Sequence, residues 1–275
     1  HAHIDKSKCI NCGKCAQACP YSAIVNRKRP CQKACKVGAI SMNPDSTVKI
    51  EHDKCISCGA CVYQCPFGAL SDKSFILDAI KMLKSDQKVY AIVAPSIASQ
   101  FTYAKLNQVV TGIKQLGFYE VVEAALGADL VAMAEAAELA EKGFLTSSCC
   151  PAFVSYIKKQ FPTLAENISH NPSPMVATAK YIRETCGDDV KTIFIGPCTA
   201  KKAEGQLPEV KEYVDCVLTF EELQALFDSR DIDPTKLEET ELNNASYYGR
   251  IFGHCGGLSM AAAEALKEQG IEFDA

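Results

Sequence analysis

Residues 9–20 read CINCGKCAQACP and residues 55–66 read CISCGACVYQCP. Each is the run C-x2-C-x2-C-x3-C-P. Its tight turns let three thiolates converge on one cluster, while the fourth cysteine, a helical turn further on, points toward another. Gly13 and Gly59 let the backbone pass close to the sulfurs. The spacing assigns Cys9, Cys12, Cys15 and Cys65 to one 4Fe–4S cluster, and Cys55, Cys58, Cys61 and Cys19 to a second. Zinc is the competing reading, but the doubled run with its closing proline favours iron and sulfide.

The doubled run resembles the bacterial two-cluster ferredoxins. Between its halves lies CQKACKVGAI, with Cys31 and Cys35. CAQACPYSAI, CQKACKVGAI and CVYQCPFGAL share C-x3-C-x3-A-[I/L], so the middle stretch is a partial third copy without the C-x2-C head. Two cysteines alone cannot hold a cubane. The favoured reading is a structural remnant or a pair of free thiols; the sharper one is a ligand swap in which one of them replaces Cys19 or Cys65. Two clusters without a substrate pocket form an electron relay, and a relay implies a redox centre at its far end.

The rest of the composition narrows the class. Of 16 cysteines in 275 residues, ten fall in residues 9–65. A secreted disulfide scaffold is short and spreads its cysteines through its loops, whereas thiolates gathered this way read as metal ligands in a reducing, cytoplasmic setting. Net charge is −4 and the pI about 5.8, without a basic tract. Neither nucleic acid nor an anionic membrane is an expected partner. The longest apolar runs, such as YAIVAP and TIFIGP, are too short to span a bilayer.

Beyond residue 72 the pattern changes. Residues 1–72 are expected to form an α+β ferredoxin-like two-cluster domain, and residues 73–275 an α/β catalytic domain with parallel sheets. VYAIVAPS reads as a strand ending in a proline turn, LNQVVTGIKQLGF as a helix closed by Gly117, YEVVEAAL as a strand and GADLVAMAEAAELAEK as an Ala-rich helix. FLTSSCCPAF, VKTIFIGPCTAKKAE and YVDCVLTFEELQALF each set a β-rich run before a turn or helix. Ligands of such sheets sit beyond the carboxyl ends of the strands. Three of those ends carry unusual loops: APS (94–96), TSSCCP (146–151) and GPCTAKKAE (196–204).

TSSCCPAF (146–153) resembles the first signature of the iron-only (FeFe) hydrogenases, GPCTAKKAE resembles their second, and VAPSIASQF resembles the segment preceding both. The PAF and GPCTAKKAE forms look most like the group B branch. The resemblance implies an H-cluster, a 4Fe–4S cubane joined through a cysteine to a two-iron unit bearing carbon monoxide, cyanide and a dithiolate. It gives the adjacent cysteines different tasks. Cys150 would ligate the cubane with Cys198, and Cys149 would remain a free thiol carrying protons. Lys201 would donate to a cyanide. Ala94, Pro95, Ser96, Ser173 and Pro174 would wall the pocket, with Met175 where glutamine is often found. By residue type alone, Cys149 is equally a structural thiol and Lys201 a solvated surface group.

Glu135 and Glu138, three apart on a helix, share a face. They fall on the family's relay glutamates, with Ser169 between them and Lys142 at the end; spacing alone reads them as a solvated face. The family's remaining cubane ligands come from an M-x-C-x3-C loop that this sequence does not contain. FGHCGGLSMAAAEAL (252–266) resembles the segment before that loop, so the chain is expected to continue past Ala275. Cys186, Cys216 and Cys255 lack the required pairing, and His254 reads as a capping or core histidine. The resemblance implies reversible interconversion of protons and electrons with dihydrogen, with ferredoxin or a similar low-potential carrier as partner. The alternatives are a non-catalytic iron–sulfur carrier or assembly protein, or a hydrogen sensor, on the same fold.

Overall fold

A computed structural model of the protein describes residues 3–5, 7–10, 12–24 and 28–272. Ala275 lies outside them. The first unit holds α1 (Lys14–Ala18), α2 (Pro30–Ala34), β1 (Ile40–Met42), β2 (Val48–Ile50) and α3 (Ala60–Tyr63). Gly13 and Gly59, at φ 75° and 74°, hold the left-handed turn that opens α1 and α3. β1 and β2 pair antiparallel with Ile40 opposite Ile50. Asp45 shapes their turn by accepting from the Thr47 amide at 2.9 Å. α2 packs against α3. Cys31 and Ala39 are the buried apolar residues of this unit among those described. So thin a core cannot order a domain of this size, and metal–thiolate bonds are the usual remedy.

The second unit begins with α4 (Ile76–Leu83), β3 (Val89–Val93), α5 (Ile97–Gln100), α6 (Leu106–Gln115), β4 (Glu120–Glu123) and α7 (Ala124–Lys142). It continues with α8 (Pro151–Gln160), α9 (Pro174–Cys186), β5 (Lys191–Gly196), α10 (Thr199–Glu204) and α11 (Pro208–Lys211). β6 (Cys216–Thr219), α12 (Phe220–Ser229), α13 (Tyr247–Ile251) and α14 (Gly257–Glu268) complete it. The strands form one sheet in the order β4-β3-β5-β6. All its pairs are parallel, with Ala91 opposite Ile193 and Ile193 opposite Cys216. Every residue of β3 is buried, as expected where helices cover both faces. The architecture is thus a ferredoxin-type unit followed by an α/β unit with a parallel sheet.

Two expected elements differ. The strand in YEVVEAAL stops at Glu123, and its alanines open α7 instead, in keeping with alanine's helix propensity. FLTSS forms no strand; its ladder is a single parallel bridge from Thr146 to Ile168. The hydroxyls there bond locally and compete with a ladder: Thr146 Oγ1 donates to Asn167 O at 3.2 Å and Ser147 Oγ to Glu135 at 3.0 Å.

Ile92, Ile193, Ile195, Leu218, Phe220 and Phe227 are fully buried at the sheet. A second core, rich in alanine, joins α7 to α14 and includes Ala128, Ala132, Ala261 and Ala265. α7 also crosses α9 at backbone distance, since a Cβ on Gly127 would meet Pro174 O at 2.2 Å. That crossing fixes where α9 begins. The two units are locked by Lys202, whose ammonium contacts Asp72 at 2.6 Å, Glu222 at 2.8 Å and Lys73 O at 3.1 Å. Thr199 Oγ1 donates to Ser57 O at 3.1 Å and Lys159 to Cys55 O at 2.7 Å. The Cys55–Cys61 loop therefore sits on the start of α10.

Candidate active site

Beyond the carboxyl ends of β3 and β5 lies a cavity of about 550 Å³. Ala94, Pro95 and Ser96 follow β3, Pro197 and Cys198 follow β5, and Lys201 stands one turn into α10. Cys149 enters from the loop before α8, and Pro174 is the first residue of α9. All of these line the cavity, with Met175, Phe252, Gly253 and His254. The structure thus brings together seven residues singled out from the sequence: Ala94, Pro95, Ser96, Cys149, Pro174, Cys198 and Lys201.

Ser173 lies just behind Pro174, 3 % exposed, and its hydroxyl finds no hydrogen-bond partner among the described residues. A buried hydroxyl without a partner is costly unless an occupant supplies one. Cys150 does not line the cavity. It is exposed at the N-cap of α8, as Cys198 is the N-cap of α10, and these two helices pack together. Two cap thiols on packed helices suit two of a cubane's four ligand positions. His254 is neither a core residue nor a side-chain cap. It is exposed on the cavity wall, and it is its backbone that bonds Ile251 O at 2.8 Å.

Lys201 is 8 % exposed, and its ammonium pairs with Glu204 at 2.7 Å. Such a pairing offsets part of the cost of taking an ammonium out of water beside the cavity. Burial pushes the half-buried Cys149 thiol above its usual value, against the opposing pull of Ser147 and the Lys201 charge.

From Cys149 a polar chain runs outward through α7. The Cys149 amide donates to Ser147 Oγ at 3.2 Å, and Ser147 Oγ donates to Glu135 Oε1 at 3.0 Å. Glu135 is 3 % exposed, and burial raises its carboxyl despite hydrogen bonds from Ser147 and Ser169. Ser169 also donates to Glu138 Oε2 at 3.1 Å. Glu138 differs from Glu135. Burial alone would raise it, but hydrogen bonds from Lys142 and His170 outweigh that and hold it at about 2. Lys142 Nζ and His170 Nδ1 each lie 2.7 Å from Glu138 Oε1, and Asn171 Nδ2 donates to Oε2 at 2.9 Å. Neither glutamate is a solvated surface group. Ser147, His170 and Asn171 were not legible in the sequence, because they reach the chain through loop geometry rather than helical spacing.

The first unit holds two further cysteine-lined cavities. One, of about 390 Å³, is lined by Cys35, Cys55, Cys58 and Cys61; the other, of about 640 Å³, by Cys31 and Cys65. Among the described residues no three His, Cys, Asp or Glu side chains close on a point that one ion would occupy. A cubane spreads its thiolates over a wider polyhedron than a single ion does. Cys58 also shares a cavity with Cys198 at the junction of the units.

The comparisons agree with this architecture. Residues 87–273 match the model of the iron only hydrogenase large subunit, C-terminal domain. Residues 2–25 match a 4Fe-4S binding domain and residues 29–69 a 4Fe-4S dicluster domain. Iron hydrogenase 1 of Clostridium pasteurianum is 32% identical over 96% of this chain and 51% of its own length. A solved HydA1 FeFe-hydrogenase variant from Chlamydomonas reinhardtii superposes with a TM-score of 0.60 at 27% identity, over 71% of this chain and 58% of that one. The cytosolic Fe-S cluster assembly factor NAR1 of Meyerozyma guilliermondii is 30% identical over 56% of this chain and 34% of its own. The fold and paired site loops define an iron–sulfur protein built on a hydrogenase scaffold. The chain belongs to the iron-only hydrogenase large-subunit family. It spans about half the length of the Clostridium relative.

Proposed function

We propose that this chain is the hydrogen-converting part of an FeFe-hydrogenase, interconverting protons and electrons with dihydrogen. The observation that carries the reading is one cavity edged by Cys149, Cys198 and Lys201, from which a buried acid–hydroxyl chain runs outward. Cys198 and Cys150 would hold the cubane of an H-cluster. When bound, its two-iron unit supplies the dihydrogen chemistry. Lys201, paired with Glu204, suits an anionic ligand, and the Ser173 hydroxyl, unpartnered among the described residues, suits a hydrogen-bond acceptor. The apolar wall of Ala94, Pro95, Pro174 and Met175 excludes water around it.

The protein's own work is proton and electron delivery. Cys149 holds a proton at its thiol because burial disfavours the thiolate. Glu135, raised by its own burial, is better suited than an ordinary carboxylate to take and return that proton. The Ser169 hydroxyl has one proton to donate and two carboxylates within reach, so its rotation links Glu135 to Glu138. Lys142 and the exposed His170 then connect Glu138 to solvent. Electrons arrive through the cluster nearest the cavity, that of Cys55, Cys58 and Cys61, since Cys58 and Cys198 face a common space. The source of those electrons is a low-potential carrier such as ferredoxin.

An assembly factor of the NAR1 kind is the second reading, motivated by the identity noted above. A protein that only carries a cubane gains nothing from burying Glu135 along a path to the surface, and this favours the enzyme. Cys149→Ala in the iron-loaded protein is expected to keep its iron while dihydrogen turnover falls on the order of 10²–10⁴-fold. Unchanged turnover would remove Cys149 from the path. Absence of turnover in the fully loaded parent protein would favour the carrier.

A further inference from the structure

We propose that Cys35, not Cys19, is the fourth thiolate of the cluster held by Cys55, Cys58 and Cys61. The inference rests on the iron–sulfur content of the first unit and is independent of dihydrogen chemistry. The cavity lined by those three cysteines has Cys35 on its wall, and Cys19 is not among its lining residues. The middle repeat, without its C-x2-C head, is built into the fold as an equal of the last. α2 and α3 pack on each other, and they frame the hairpin of β1 and β2 from either end of the sequence. Cys31 and Cys61 are the second residues of α2 and α3, and Cys35 and Cys65 lie just past their ends.

A crossing pattern follows from that equivalence. The last cysteine of a run, a helical turn after the third, reaches the cluster on the other side. Cys65 does so toward Cys31, since both line the second cavity. Cys35 does so toward Cys55, Cys58 and Cys61. The sulfur is also prepared as a ligand: the Ala39 amide donates to Cys35 Sγ at 3.1 Å, as the Ser57 amide does to Cys55 Sγ at 3.4 Å. Amide–sulfur bonds of this kind stabilise cluster thiolates. Ligation replaces the thiol proton, which leaves to solvent, so the charge on the sulfur is taken up by iron. Ala39 is 1 % exposed, and its burial fixes the turn that aims its amide at Cys35.

The test compares Cys35→Ser and Cys19→Ser in the anaerobically purified holoprotein, by iron and sulfide content and by electron paramagnetic resonance of the reduced state. Cys35→Ser is expected to lose the iron of one cluster or to shift that cluster's signal, while Cys19→Ser leaves the same signal in place. A full, unshifted signal in Cys35→Ser, or its loss in both variants, would overturn the assignment. Should Cys35→Ser fail to fold, alkylation of the parent holoprotein decides. Mass spectrometry should find Cys35 unmodified until iron is chelated and modified afterwards. Modification of Cys35 in the fully loaded protein would contradict the proposal. Neither readout involves dihydrogen, so a failure here leaves the activity untouched, and the reverse also holds.

Discussion

The two units solve the problem of stability in opposite ways. Residues 73–272 bury whole strands and large side chains such as Phe220 and Phe227, so the cavity's walls stand on a packed sheet. Residues 3–72 bury Cys31 and Ala39 as their apolar core among the described residues. What holds the first unit must be chemistry at its cysteines, whereas the second rests on a packed apolar core. A relay can tolerate order that depends on its metal. A cofactor or binding site benefits from walls that its own packing holds in place.

Iron removal should separate the units most. Chelation under reducing conditions is expected to abolish amide-exchange protection in residues 28–72 while β3, β5 and β6 stay protected. Equal loss in both would show that the sheet depends on metal too. The mirror experiment is Phe227→Ala, which removes a fully buried ring from the sheet's core and should destabilise the second unit by about 3–5 kcal/mol. Its effect on denaturant unfolding should be large and its effect on cluster signals small. The junction comes next. Lys202→Met leaves Asp72 and Glu222 facing each other without their cation, at a cost of roughly 3 kcal/mol. Faster proteolysis between residues 70 and 75, with the core of the second unit intact, would register it.

The smallest effect distinguishes the two glutamates. Glu138 is held at about 2, below the ordinary carboxylate value of 4.5. Its bonds to Lys142 and His170 therefore stabilise the fold fully above pH 4.5, and that contribution fades as pH falls toward 2. Glu135 is shifted the other way, so its ionisation opposes folding, and its contribution is lost as pH rises through its raised value. Acid titration of Glu138→Gln against the parent should show a flatter loss of stability between pH 4.5 and 2.

Much of this contrast was legible in the residues themselves. Cysteine spacing is rigid enough to announce a cluster, and the alternation of apolar runs with Ala-rich helix announces a parallel sheet. The loops at 94–96 and 196–204 could be placed at strand ends, where ligands of such sheets gather, whereas 146–151 follows no strand. Other features depend on contacts distant in sequence. Spacing joins Cys19 to Cys55 because both belong to complete runs; the seating of α2 against α3, which puts Cys35 on the wall of the Cys55 cavity, leaves no such mark in the spacing. FLTSS looks like a strand by composition, yet its hydroxyls are drawn to Asn167 O and Glu135. His170 enters through the fold of the loop before α9, which no helical period reveals.

The most direct measurement is the infrared spectrum of the holoprotein in the region of metal-bound carbon monoxide and cyanide. The hydrogenase account predicts sharp bands there, with the cyanide bands displaced in Lys201→Met. A protein carrying its full complement of iron and sulfide with that region empty would contradict it, and would leave an iron–sulfur carrier on a hydrogenase scaffold.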